Sequence, residues 1–283
     1  MKPDKHSLLN ALFEARWIVL VAALFFIAET IARQKKLLET VTWAMIWVAA
    51  GIWFAFFVYR LIRRKDDTIM RDKFKNYFSP QIADGIMGNH DKLKLGGERR
   101  EVSIFFSDIR SFTKLTENLP PQRLTDLMQK YFTEMTAEIE ATGGVVDKFI
   151  GDAIMAFWGA PVDQLDKADR AVATAIKMIN KLKILNEKWQ AAGYPAIDIG
   201  IGINTGVAIV GNIGSKTRFD YTVIGDDVNV AARLERLNRD YKTNIIISES
   251  TKKNLSIPVN TESLGLTRIR GRNKAIKIYK VEA

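Results

Sequence analysis

The sequence predicts an α/β layer fold for the last two-thirds of the chain, with a transmembrane helical hairpin ahead of it. Two observations carry this expectation. After Glu98, short apolar runs of strand character alternate with longer segments of helical period. Before it, nearly uncharged stretches crowd into the first 60 of 283 positions, while the remainder is of ordinary mixed composition. Apolar residues make up 47% of the whole, so their uneven spread points to two different solvents.

Taking the elements in order, Trp17–Ala32 lies between Arg16 and Arg33 with only Glu29 inside, and is read as a first span because residues at its ends can snorkel. Val41–Tyr59 has no charged residue and includes Trp43, Trp47, Trp53, Phe54, Phe56 and Phe57. It is long enough to cross a bilayer core as a helix, and the second span is placed at 41–62. A signal peptide is the competing reading of the first segment, but no small-residue cleavage pattern ends it. The run Arg60, Arg63, Arg64, Lys65, Arg71, Lys73 and Lys75 follows directly. Basic flanks of this kind prefer the cytoplasm, which makes residues 1–65 a multi-pass anchor in the cell membrane and places the rest inside. Residues 66–97 read as a helical linker, with Phe74, Tyr77, Phe78, Ile82, Ile86 and Met87 at near-helical spacing.

The folded domain is expected over 98–283. Val102, Ile104 and Phe106 form a strand that ends at Ser107-Asp108, continuous enough in apolar character for burial on both faces. Pro120-Pro121 open a helix with Leu124, Leu127, Met128, Tyr131, Phe132, Met135 and Ile139 on one side, closed by Gly143-Gly144. Val145–Ile150 and Ala153–Trp158 flank Gly151-Asp152 as a hairpin with the acid at its tip. A long helix from about Asp166 to Gln190 follows, then strands at Ile197–Ile203 and Val207–Val210, with Gly206 and the Gly211–Gly214 segment read as turns. A helix over Asp227–Asn238, a strand at Asn244–Ser248 and strands near Leu264–Ile269 and Ala275–Val281 complete the layer.

Composition excludes some chemistry. The chain has no cysteine, so disulfides, thiolate metal sites and cysteine nucleophiles are ruled out. Both histidines, His6 and His90, stand alone and are assigned no role. A net charge of +10 suits anionic partners. Nucleic acid is not one of them, because no aromatic stacking series accompanies the basic residues and the longest basic cluster is juxtamembrane.

Two aspartates carry the chemistry. Asp108 and Asp152 each end an apolar strand, where an acid is costly unless paired, hydrated or on a metal. Brought together they would offer hard oxygen ligands to Mg²⁺ or Mn²⁺. The competing reading of Asp108 is a helix cap ahead of Ser111-Phe112-Thr113, and the residues alone leave this open.

Three stretches resemble class III adenylyl and guanylyl cyclases in order and spacing. They are the segment Phe105 to Thr113, the segment Lys148 to Phe157, and the segment Arg218 to Glu235, which contains Thr222, Asn229 and Arg233. The resemblance implies a ferredoxin-like core with helices over one sheet face, and conversion of ATP to cyclic AMP and pyrophosphate. It makes Asp108 and Asp152 ligands of two Mg²⁺ or Mn²⁺ ions, with the carbonyl of Ile109 added. It gives Lys148 and Thr222 the purine, and gives Asn229 and Arg233 the ribose and the phosphoryl charge. Lys148 stands where guanylyl cyclases carry an acid, which favours adenine. Arg270 stands where the family holds the terminal phosphates, with Arg272 and Lys274 as alternatives. The family's site lies between two catalytic domains, so the resemblance also implies a homodimer. The rival readings are a guanylate cyclase, and a silent nucleotide-binding membrane protein.

Overall fold

A computed structural model describes residues 19–29, 45–57, 59, 96–268 and 275–283. The chain divides into two compact units, Met1–Asp72 and Lys73–Ala283. In the first, residues 19–29 and 45–57 are helical. Among the described residues no helix is long and apolar enough to cross a membrane. The spans expected at 17–32 and 41–62 fall only partly on described residues, and of the expected linker only Gly96 and Gly97 are described.

The second unit begins with β1 (Gly96–Ile109) and continues through α1 (Phe112–Asn118), α2 (Pro121–Ala141), β2 (Val145–Ile150), β3 (Ala153–Trp158) and α3 (Lys167–Ala191). There follow β4 (Ile199–Gly214), β5 (Phe219–Ile224), α4 (Asp226–Tyr241), β6 (Ile245–Ser248), α5 (Glu249–Lys253), β7 (Thr261–Thr267) and β8 (Ile276–Val281). One sheet runs β2-β3-β1-β4-β6-β8-β7, with β5 also pairing to β4. The first four strands, antiparallel and connected through α2 and α3, have the ferredoxin-like order that the resemblance implied.

β1 and β4 form the centre, paired over their full length from Gly96↔Asn212 to Ile109↔Ile199. α2 buries Leu127, Tyr131, Met135 and Ile139, each four residues apart, so one ridge of the helix enters the core. α3 adds Val172, Ala175, Met178 and Leu182, and both helices pack against Phe105, Trp158, Ile201 and Ile203. On the opposite sheet face Val102, Ile104, Phe157, Val210 and Val223 pack with Ala231 of α4. The burial of β1 on both faces follows the expectation; a helix on the second face does not.

The largest departure from the sequence reading is β4. Two strands with a turn at Gly206 were expected, and a single strand of 16 residues is found. Ile199, Ile201 and Ile203 point to the α2/α3 core, and alternation sends Gly200, Gly202 and Gly206 to the other face. These glycines are not turns but places where α4 comes close. A Cβ on Gly202 would lie 2.1 Å from the backbone nitrogen of Glu235 and 2.4 Å from the carbonyl oxygen of Ala231. Gly211 likewise pairs within the strand, where a Cβ would meet the carbonyl oxygen of Gly96 at 2.2 Å.

Candidate active site

Asp108 sits near the end of β1, across from Gly200 of β4. Asp152 follows Gly151, whose φ of +65° lets the β2–β3 hairpin turn at its tip. The fold brings these two acids together. Their carboxyls are close enough to share a proton, and Asp152 also accepts from the backbone N–H of Ile109. Burial, and then the hydrogen bond and negative charge of Asp108, push Asp152 up to about 6. The cap reading of Asp108 fails, since α1 is capped by Ser111, with no side-chain bond, and Asp108 lies within β1.

Two half-buried carboxyls pressed into one place form a donor set that suits a hard divalent cation. Among the described residues no cluster of three or more His, Cys, Asp or Glu gathers there. Further ligands would therefore come from backbone carbonyl, water or substrate, as is usual for Mg²⁺.

Two neighbours of this pair escaped the sequence reading. On α2, burial pushes the hydroxyl of Tyr131 up, and the charges of Asp108 and Asp152 add to the effect. It lies beside that of Ser107, which opposes part of the rise, and neither oxygen has a partner in full hydrogen-bond geometry among the described residues. On α4, Glu235 is pushed up to about 7 by burial and by the charge of Asp108. Its Oε1 is 2.8 Å from where a Cβ on Gly200 would stand, so the glycine opposite Asp108 makes room for it.

Lys148 and Thr222 also converge, through a residue the sequence reading passed over. A bulge between Val146 and Lys148 leaves Asp147 out of register with β3, and its side chain is fully buried. Thr222 Oγ1 donates to Asp147 Oδ2 at 2.5 Å. Lys148 Nζ lies 3.3 Å from Oδ1, an ion pair without hydrogen-bond geometry, since Oδ1 has no hydrogen bond. Burial raises the Asp147 carboxyl above its usual range, opposed by Thr222 and then by Lys148. Phe149 packs on Phe132 of α2 at 4.4 Å between ring centroids and anchors the hairpin.

Asn229 and Arg233 stand one helical turn apart on α4, Asn229 exposed and Arg233 half-buried. The helix is tied to β4 at its first turn by Asp227. This carboxylate accepts from Val207 N at 3.0 Å and from Asn204 Nδ2 at 3.2 Å, over Gly206, where a Cβ would meet Oδ2 at 2.3 Å. Further along, buried Asn238 donates to Ile201 O at 2.9 Å. Arg270, Arg272 and Lys274 lie outside the described residues.

A family model described as the adenylate and guanylate cyclase catalytic domain matches residues 97–283, the same stretch that holds all of these side chains. The chain belongs to this cyclase family. Adenylate cyclase 1 of Rhizobium meliloti (strain 1021) is 36% identical over 203 residues, which is 71% of this chain and 30% of that protein. An adenylate cyclase of Anabaena cylindrica is 36% identical over 223 residues, 75% of this chain and 41% of its own length. The chain therefore spans less than half the length of these curated relatives. Among solved structures, the adenylyl cyclase CyaB from P. aeruginosa is 38% identical with a TM-score of 0.62, covering 67% of this chain and 97% of that one. The guanylyl cyclase Cya2 is 36% identical with a TM-score of 0.60, covering 66% and 94%. Cyclases named for either nucleotide thus share this fold at similar identity, and base choice rests on side chains.

Proposed function

We propose that the chain is an adenylate cyclase, converting ATP to 3′,5′-cyclic AMP and pyrophosphate at a site shared by two copies in a homodimer. Asp108 and Asp152, with the carbonyl of Ile109, hold two Mg²⁺ or Mn²⁺ ions. When bound, the ions acidify the ribose 3′-hydroxyl and neutralise the triphosphate. Lys148 donates to adenine N1 and Thr222 accepts from the 6-amino group. Asn229 orients the ribose. Arg233 faces the equatorial oxygens as the 3′-hydroxyl gives its proton to water, its oxygen bonds to the α-phosphorus and the bond to the β-phosphate oxygen breaks, releasing pyrophosphate with the electron pair. Arg270 holds the terminal phosphates. Neither aspartate is needed as a base.

The observation that carries the shared-site reading is electrostatic. Asp152 is raised although an arginine and a lysine of the motifs belong to the same domain, and its leading causes are burial and Asp108, with no cationic side chain among them. Arg233 has no ion-pair or hydrogen-bond partner among the described residues. Each half is left wanting the charge that the other half of a second copy carries.

In this reading residues 1–65 anchor the protein in the cell membrane through spans at 17–32 and 41–62, with the cyclase domain in the cytoplasm. Its support is the basic run after the second span and the exposed apolar side chains on the described helical pieces, among them Phe26, Trp47 and Trp53.

Asp108→Ala and Arg233→Ala test the function. Each alone loses activity by about 100-fold or more. Mixed, random pairing makes half the dimers mixed, each with one intact site, so recovery reaches about a quarter of the wild-type rate. Turnover of ATP and GTP is followed side by side as cyclic nucleotide and pyrophosphate. No recovery on mixing sinks the shared site; no turnover of either nucleotide with Mn²⁺ sinks the enzyme.

A further inference from the structure

The buried carboxylate between the two purine-reading side chains has a consequence that reaches the substrate. A threonine hydroxyl is ambivalent, having one hydrogen to donate and lone pairs to accept with. Left free it could accept from the 6-amino group of adenine, or turn and donate to the 6-oxo group of guanine or hypoxanthine. Alone, it would discriminate poorly.

We infer that Asp147 is a specificity-determining positioning residue, which claims the single hydrogen of Thr222 and leaves that hydroxyl able only to accept from a 6-amino purine. The geometry is direct. Thr222 donates to Asp147 Oδ2 at 2.5 Å, a short bond of the kind a charged acceptor makes. The Asp147 side chain has no exposed surface, so it does not touch the nucleotide and acts only through its neighbours. Thr222 is itself only 6% exposed, and so has little water with which to exchange the bond. On the other flank Lys148, a donor only, lies 3.3 Å from Oδ1 with its side chain 39% exposed. One carboxylate thus orders both readers, fixing an acceptor at one position and holding a donor near the other. That is adenine's 1,6 edge in complement, and it is the reverse of what a 6-oxo purine with a protonated N1 presents. A carboxylate at position 222 would supply the acceptor directly; here it stands one hydrogen bond further back.

This inference rests on the adenylate cyclase reading, and its test separates the two. The full chain is assayed with ATP and with inosine triphosphate, which differs from ATP only at the 6-position and N1. The ratio of the two kcat/KM values is taken within one preparation, so the fraction of active protein cancels. In Asp147→Asn the amide can donate to Thr222 and free its hydrogen. The ATP-to-ITP ratio should fall about 10- to 100-fold, chiefly by gain on ITP and a rise in KM for ATP. Thr222→Ser, which keeps the hydroxyl, should retain the wild-type ratio. In a Thr222→Val background Asp147→Asn should leave the ratio unmoved, because no hydroxyl remains to be oriented.

A variant that loses activity on both nucleotides equally, with an unchanged ratio, would show Asp147 to be structural and overturn the inference. Should Asp147→Asn fail to accumulate as folded protein, Asp147→Ala takes its place with the same two outcomes, since it removes the acceptor altogether. Absence of ATP turnover in the wild-type chain would instead count against the functional reading beneath it.

Discussion

Gly202→Ala probes the contact that carries Asn229 and Arg233 to the site. The new methyl would stand 2.1 Å from the Glu235 nitrogen and 2.4 Å from the Ala231 carbonyl oxygen. Both are helix backbone, and no rotamer can yield. For the closer contact to open from 2.1 Å to the 3.4 Å of ordinary packing, α4 must withdraw by about 1.3 Å. Overpacking of this kind costs about 1–3 kcal/mol, so the domain should still fold. The catalytic cost is larger in proportion, since a displacement of about 1 Å at a reacting centre lowers the rate about 100-fold. Because the proposed role of Arg233 belongs to the transition state, the loss should fall on kcat rather than on KM for ATP. Steady-state cyclic AMP formation, with urea unfolding on the same protein, provides the measurement. A folded Gly202→Ala enzyme with wild-type kcat would refute the proposition that α4 sets the position of the arginine.

Three further outcomes are expected. Asp152 is raised to about 6 and Glu235 to about 7, each above its ordinary value. Their contribution to stability is therefore greatest below about pH 4 and is lost as pH rises through those values; scanning calorimetry in EDTA should show this loss, and Mn²⁺ should stabilise the protein more at about pH 7 than at about pH 5. Asp227→Ala removes the acceptor of Val207 N–H and one of the two bonds that Asn204 Nδ2 donates to Asp227, and should cost about 1–3 kcal/mol in urea unfolding. Removal of residues 1–65 should lower specific activity progressively on dilution, as dimers dissociate without an anchor to concentrate them; activity independent of dilution at the full-length rate would show that the anchor has no kinetic role.

Much of this was legible in the residues. The β2–β3 hairpin has the expected bounds, and α2 and α3 begin and end within about two residues of the sequence reading, because Pro121, Gly143 and a clean helical period mark them. Asp108 and Asp152 meet as expected, since strand ends on adjacent strands must. What stayed hidden depends on non-local contacts. Ile199-Gly200-Ile201-Gly202 carries a strand alternation, but glycine is also the commonest turn residue. Only α4 lying on that face shows which role it plays. Asp147 was missed because regular alternation would put it opposite Lys148, and the bulge that gathers both residues at Thr222 leaves no mark in the sequence. Glu235 lay inside a motif already singled out, yet its proximity to Asp108 follows from the glycine across the strand, which no local pattern announces.

The division of the proposed site between two copies also has a physical reason within one chain. If Arg233 faced Asp108 and Asp152 of its own domain, the three would form an ion pair in the apo protein, and both acids would fall well below the ordinary carboxylate range. The guanidinium would then be held by carboxylate in place of a phosphoryl oxygen, and divalent ions would have to displace it. Instead Asp152 is raised, with burial and Asp108 as the leading causes and backbone N–H groups the leading opposition. In the proposed site this would leave the acid pair open to cation uptake, while Arg233, with no ion pair among the described residues, would be available for the charge that develops on the triphosphate. In the proposed dimer, placing the two on separate chains would prevent each from quenching the other before substrate arrives, and would make pairing of the chains the step that assembles the site.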